Sequence, residues 1–187
     1  MKLCLSHQFD APLESVLGTL SSADYASHLA QSHSFFADVR VLSLSHSPGL
    51  IERSVRYRAR PFITRLGVFS LPASWFVWVE QSRIDLRSGL LTFENVPEVE
   101  SVRDKLINRG SMQFRTACDA DGKPVTVRQA SFEVAFQVPQ LYRSLAALAL
   151  TMVRRQLESS LDEEARLLRA WLCRRPAGAL EPEASAA

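Results

Sequence analysis

Apolar and polar residues alternate from Met1 to Phe9, which predicts a strand. The period then changes. Leu13, Val16, Leu17 and Leu20 recur at helical spacing behind Asp10-Ala11-Pro12, where Asp10 suits an N-cap and Pro12 a first turn. Ser21-Ser22 interrupts that helix, and Ala23 to about Gln31 predicts a second short one. Alternation returns in Val39–His46 and Leu50–Arg60, which flank the turn Ser47-Pro48-Gly49 and predict a hairpin. Trp75–Gln81 and Gly89–Val96 predict a second hairpin, turned at Asp85–Gly89. Arg103–Cys118 and Val125–Val138 predict a third, closed by Asp119–Pro124. None of these turns is long enough for a parallel crossover, so the sheet is expected to be antiparallel.

From Pro139 to about Trp171 the pattern is helical again. Tyr142, Ala146, Ala149, Val153, Leu157, Leu161 and Leu168 form one apolar stripe, and Glu158, Asp162, Arg166 and Arg169 occupy the opposite face. Leu145, Leu148 and Met152 lie off the stripe, so the first half of this helix is apolar nearly all round and needs contacts on two sides. The predicted order is strand, two short helices, about six antiparallel strands and a long C-terminal helix. One helix can cover the apolar face of such a sheet only if the sheet curls around it.

Composition narrows the class. The chain has 187 residues, 47% of them hydrophobic and 22% charged, which excludes wholesale disorder and permits a large core. A net charge of +2 does not by itself point to nucleic acid. The expected organisation is a single ligand-binding domain over 1–175 and a disordered tail over 176–187, where the sequence reads PAGALEPEASAA. The N-terminus MKLCLSHQF lacks the apolar run of a signal peptide, and the apolar stretch Leu141–Val153 is too short to span a bilayer and contains Arg143. Cys4, Cys118 and Cys173 are widely separated and lack ligand spacing, as expected of reduced thiols. A soluble protein of the cytoplasm or another intracellular compartment is the expectation.

The order of elements resembles the helix-grip fold of the START/Bet v 1-like (SRPBCC) superfamily, an α+β architecture. There a curved antiparallel sheet wraps a long C-terminal helix, with two short helices after the first strand and a cavity between sheet and helix. A narrower resemblance lies in WVEQSRIDLRSGLLTFENV (78–96), which is similar to a hairpin of PRELI/slowmo-type phospholipid transfer proteins. Glu80, Ser82, Ile84-Asp85 and Phe93-Glu94-Asn95 carry it. Just upstream, PFITRLGVFSLPAS (61–74) occupies the place of that family's lid loop. The resemblance implies binding, and transfer between membranes, of a lipid or other hydrophobic molecule, with transient contact at a membrane surface.

The residues add candidates. Strand parity points Tyr57, Phe93, Phe114, Phe132 and Phe136 inward, with one of Trp75 and Trp78, while Leu148 and Met152 would meet the ligand from the helix. Arg53 shares the inward parity of Ile51, Val55, Tyr57 and Ala59, so its charge needs either a protein carboxylate or an anionic headgroup. Arg56, Arg58 and Arg60 take the outward parity and read as a solvated face, and Arg128 reads as a strand-end cation. Asn108 and Thr116 are polar positions that could hold a headgroup or water. Phe62, Ile63, Leu66, Gly67, Phe69 and Leu71 make the 61–74 loop a candidate lid that bends at Gly67. No G-x-S-x-G, H-E-x-x-H, C-x-x-C or Gly-rich phosphate loop is present, and His7, His28, His33 and His46 read as solvated or capping side chains. No metal or cofactor is expected. Besides a non-catalytic carrier, two readings stand: an enzyme of the polyketide cyclase/aromatase kind that uses Tyr57 with Glu94 or Asn95, and a regulatory partner protein with a vestigial cavity.

Overall fold

The computed structural model describes residues 1–137, 139–140 and 143–174, the Phe69 side chain excepted. Tyr142 of the expected stripe and the tail 176–187 lie outside the described residues. The order of elements is β1 (Lys2–Phe9), α1 (Leu13–Ser21), α2 (Ala23–Ser32), β2 (Phe36–Ser47), β3 (Leu50–Ala59), β4 (Arg65–Leu66), β5 (Phe69–Ser70), a 3-10 turn (Ala73–Phe76), β6 (Val77–Asp85), β7 (Leu90–Pro97), α3 (Glu100–Arg103), β8 (Leu106–Cys118), β9 (Pro124–Phe136) and α4 (Arg143–Arg174). Seven strands form one antiparallel sheet in the order β1-β9-β8-β7-β6-β3-β2, and β4 and β5 form a separate small hairpin.

Local chemistry sets most of the boundaries. Ser22 caps α2, its side chain accepting from the Tyr25 N–H at 3.2 Å, which is why the Ser-Ser pair separates two helices. Asp10 does not cap α1; the helix starts behind Pro12 without a side-chain cap. Trp75 lies in the 3-10 turn, because Pro72 supplies the carbonyl that the Trp75 N–H bonds at 3.0 Å, and β6 begins only at Val77. Similarly, Arg103 ends the short helix α3 and does not open β8. Gly89 turns β6 into β7 with φ +65°, and a Cβ there would lie 2.4 Å from the Phe114 carbonyl oxygen, so only glycine fits.

Register sorts the inner face into rows. One row across the sheet reads Arg53, Ser82, Phe93, Gly110, Phe132, Leu3. The absence of a side chain at Gly110 lets the Phe93 ring lie on the strand; a Cβ there would meet Phe93 Cζ at 2.6 Å and Ser131 O at 2.2 Å. Phe93 then packs on Phe132 with ring centroids 5.1 Å apart.

At one end the space between sheet and helices is closed. Phe9, Val16, Leu17, Tyr25, Ile84, Phe114, Ala165 and Leu168 are buried there as one apolar cluster. Complete burial of a side chain such as Phe9 stabilises by about 1.5–3 kcal/mol.

This closed end also holds a polar network that corrects two readings of the sequence. Arg128 is not a solvated strand-end cation: it is 0% exposed. It donates to Glu164 Oε2 at 3.0 Å, to His7 Nδ1 at 3.2 Å and to the Leu161 carbonyl at 3.3 Å. Its guanidinium also lies 5.4 Å from the Phe9 ring centroid. Since His7 Nδ1 accepts, its proton sits on Nε2, which donates to Asp162 Oδ1 at 2.9 Å. His7 and Arg128 are opposite each other in the β1–β9 register, on the inner side, and α4 passes over them; that is why neither meets solvent. His33 is buried as well, with Nε2 donating to the Ser160 carbonyl at 3.0 Å and Nδ1 accepting from the Phe35 N–H at 3.1 Å. Both histidines fasten α4 to the rest of the fold. Arg60 is likewise more than a solvated charge, since it donates to the carbonyls of His33 at 3.1 Å and Ser34 at 2.6 Å and to that of Phe36.

Candidate ligand site on the inner face

The other end of the inner face is built differently. Tyr57 on β3 and Trp78 on β6 are opposite each other and stack at 5.6 Å with 17° between their planes. Phe36 closes on both rings, and Phe35 and Phe62 continue the cluster to Phe76. Of the two tryptophans before the hairpin, Trp78 therefore points inward, and Trp75 is exposed.

One row further along, Val55, Glu80 and Asn95 are side by side in register. Glu80 answers the question posed by Arg53. The guanidinium donates to Glu80 Oε1 at 3.0 Å, to Ser82 Oγ at 2.9 Å and to the Leu20 carbonyl. Burial, the largest single influence, would pull Arg53 down, and the charge and hydrogen bond of Glu80 together with the Tyr57 and Glu164 charges more than offset it, leaving Arg53 above its ordinary value. A protein carboxylate thus supplies the partner, and no anionic headgroup is needed to explain the inward charge. The Tyr57 hydroxyl is pushed well above the ordinary tyrosine value, first by burial and then by the Glu80 charge, and stays a protonated donor.

Beyond this point the inner face opens. Trp78, Glu80, Asn95, Leu106, Asn108 and Phe136 have inward parity yet remain half-buried. Facing residues in the first half of α4, Leu145, Ala146, Leu150, Met152 and Val153, are half-buried too, whereas Leu161, Ala165 and Leu168 further on are buried. Asn95 Oδ1 and Asn108 Oδ1 are shielded from solvent and have no hydrogen-bond partner. The β4–β5 hairpin flanks this end: a Cβ on Gly67, whose φ is +60°, would lie 3.5 Å from Leu145 Cδ2.

The expected site residues divide accordingly. Tyr57, Trp78, Phe136 and Met152 border the open end. Phe93 and Phe132 form its buried floor, and Phe114 belongs to the closed core. Leu148 is 53% exposed and Trp75 42% exposed, both turned toward solvent. In the expected lid, Ile63 is buried as a plug and Phe62 joins the ring cluster, Leu66 and Leu71 are half-buried, and the Phe69 side chain lies outside what is described. Glu94 cannot pair with Tyr57, because it is on the outer face opposite Gln81 and Arg109. Thr116 is exposed at the strand end.

Two further concavities border the sheet. A space of about 20 Å³, enough for one water, lies among Leu20, Tyr25, Arg53, Val55, Tyr57 and Glu164. A wide groove of about 1080 Å³ runs over the outer face, where Lys2, Glu52, Arg83, Glu94, Arg109 and Glu133 alternate in charge. Among the described residues no group of His, Cys, Asp and Glu could hold a metal ion, and no helix is long and apolar enough to cross a membrane.

Sequence reasoning singled out Asn95 and Asn108 as candidate polar positions but missed the Arg53–Glu80 pair and the lack of partners at the two asparagine oxygens. A signal existed, since Glu80 shares parity with Trp78, Ser82 and Ile84, and Asn95 with Leu91 and Phe93.

Comparison with known proteins fixes the fold. No family model matches the chain, and no curated protein matches it. Solved structures do. A crystal structure of TTHA0849 from Thermus thermophilus superposes with a TM-score of 0.59 at 14% identity, covering 91% of this chain and 99% of that one. The Zhui aromatase/cyclase from a Streptomyces species gives 0.59 at 13% identity, over 95% of this chain and 98% of that one. A point mutant of norcoclaurine synthase from Thalictrum flavum, solved with a transition-state analogue, gives 0.59 at 13% identity, over 93% and 94%. The chain has the Bet v 1-like helix-grip fold, with a curved sheet around a long C-terminal helix. At such identities the likeness speaks for the fold alone.

Proposed function

We propose that the protein is a carrier that binds an apolar small molecule between the inner face of the sheet and the first half of α4. The observation that carries this reading is the half-exposure of large inward-facing side chains at that end, beside a closed core at the other. An apolar surface that faces inward but is not filled by the protein gains about 0.8 kcal/mol for each methylene that a guest withdraws from water. Native mass spectrometry of the purified protein, with organic extraction, tests the reading directly. Titration with 1-ethylnaphthalene, followed by fluorescence, supplies a defined probe. Val153→Trp adds bulk on the facing side of α4 and is expected to weaken probe binding by at least about tenfold, about 1.4 kcal/mol, with an unchanged far-UV spectrum. Undiminished binding in the folded variant would remove this site.

On this reading the β4–β5 hairpin is the lid, and transfer of lipid between membranes is the finer form of the function. Val68, next to the bend at Gly67, is 87% exposed and available to touch a membrane surface. Val68→Asp is expected to slow vesicle-to-vesicle transfer of a lipid probe severalfold with its equilibrium binding unchanged; an unaltered transfer rate would exclude the lid.

A second reading, enzymatic conversion of the bound molecule, is favoured by the adjacency of the Tyr57 hydroxyl and the Glu80 carboxylate across β3 and β6. The aromatase/cyclase and synthase among the structural neighbours share the fold. Against it, Glu80 is committed to Arg53. Incubating an extracted ligand with fresh protein separates the two, since a carrier returns it at unchanged mass.

A further inference from the structure

The Asn95–Asn108 position has a chemical bias that the binding reading does not use. Along this row the register brings together Val55, Glu80 and Asn95, and from the other side Val134 and Asn108. The β7–β8 ladder ends with Glu94 opposite Arg109, so Asn95 and Asn108 are the next residues on each strand, where pairing stops. Both side-chain oxygens are shielded from solvent without a partner. The neighbouring cation is already used: Arg53 is spent on Glu80, Ser82 and the Leu20 carbonyl. The row therefore holds a surplus of acceptors and no cation.

Leaving a buried acceptor unsatisfied costs about 1–3 kcal/mol. Native folds rarely keep such groups without a use for them. Replacing both asparagines by leucine would remove that cost and suit the aromatic surroundings better.

We propose that the ligand carries hydrogen-bond donors, hydroxyl or amine, on an apolar skeleton, and that Asn95 and Asn108, with Glu80 beside them, receive those donors. This inference rests on the binding reading and specifies its ligand class. It runs against an anionic amphiphile. A carboxylate or phosphate placed in this row has no proton to give the two unpartnered asparagine oxygens and would meet the Glu80 charge, and the cation that could receive it is neutralised one row away. A hydroxyl fits best in a neutral ligand, because it gives its proton to one amide oxygen and can accept from the other amide's nitrogen. An amine makes the stronger, charge-assisted bond.

The test uses four probes on one skeleton: 1-ethylnaphthalene, 2-(1-naphthyl)ethanol, 2-(1-naphthyl)ethylamine and 1-naphthylacetate. Fluorescence titration of the wild-type chain is expected to rank the alcohol and the amine at least about tenfold tighter than the carboxylate, a difference of about 1.4 kcal/mol. In the Asn95→Leu/Asn108→Leu variant that preference is expected to vanish, while ethylnaphthalene binds as well as before and the thermal midpoint does not fall. Should the double variant fail to fold, Asn108→Leu alone is expected to reduce the preference. A carboxylate that binds the wild type as tightly as the alcohol overturns the proposal, as does a donor preference that survives in the variant. Ethylnaphthalene binding without any preference sinks this inference and leaves the binding reading intact. Failure of all four probes to bind sinks both.

Discussion

Replacing Glu80 by leucine is expected to lower stability by about 3–5 kcal/mol, because it leaves a buried guanidinium without its counter-charge. The Arg53 and Glu80 side chains are only 13% and 14% exposed, so neither reaches water easily. The remaining bonds of Arg53, to Ser82 and the Leu20 carbonyl, satisfy protons but supply no charge. Arg53 cannot shed its proton in response, as an arginine stays ionised in any folded environment. The companion variant discriminates between a lost charge partner and a lost shape. Arg53→Met with Glu80→Leu removes both charges and keeps apolar volume, and buried pairs replaced in this way are often neutral or stabilising. Urea denaturation of the wild type, both single variants and the double variant gives the coupling energy directly. The expected pattern is a large loss in Glu80→Leu and recovery of most of it in the double variant. If the double variant is as unstable as Glu80→Leu, the pair contributes through packing, and its electrostatic description is wrong. The same set bears on the ligand: a double variant that still binds the alcohol probe separates the pair's structural role from recognition.

Much of this architecture is legible in the sequence, for a definite reason. A sheet with one covered face converts its pleat into alternation, so Tyr57, Phe93 and Phe132 can be assigned inward from parity alone, whereas the choice between Trp75 and Trp78 needed the structure. The same alternation excludes Glu94, since Phe93 and Asn95 cannot both face inward unless Glu94 faces out. What parity cannot supply is the partner of an inward polar residue. Glu80 meets Arg53 because β3 pairs with β6, a register set across the connection from 60 to 76 and invisible to local pattern. Arg128 is harder still: its partners are on β1 and α4, separated from it by 121 and 36 residues. An arginine near a turn looks solvated until β1 pairs beside it and α4 passes over it. Helix phase misled in the opposite direction at Leu148, where an apolar residue off the main stripe is exposed beside the mouth of the site.

The second large effect is expected at Arg128, and its direction depends on which partner is removed. Arg128 is 0% exposed at its side chain, whereas Glu164 is 17% exposed. Glu164→Leu strands the guanidinium against Phe9, His7 and the Leu161 carbonyl, none of which offsets its charge as a carboxylate does. The expected loss is again about 3–5 kcal/mol. Arg128→Met leaves behind the more accessible partner, and Glu164 can turn toward water and recover part of its hydration. His7 loses a donor at Nδ1 but keeps Asp162 through Nε2. The loss should therefore be smaller, about 1–3 kcal/mol, dominated by the hydrogen bonds that go with the guanidinium. Because α4 is fastened to β1 and β9 through these groups, hydrogen exchange along 157–168 should accelerate most in Glu164→Leu, while the β2–β3 hairpin keeps its protection. Urea melts of the two single variants, with exchange read by mass spectrometry, decide the matter. Equal losses in both, or a larger loss in Arg128→Met, would mean that the stranded charge is not what makes this network indispensable.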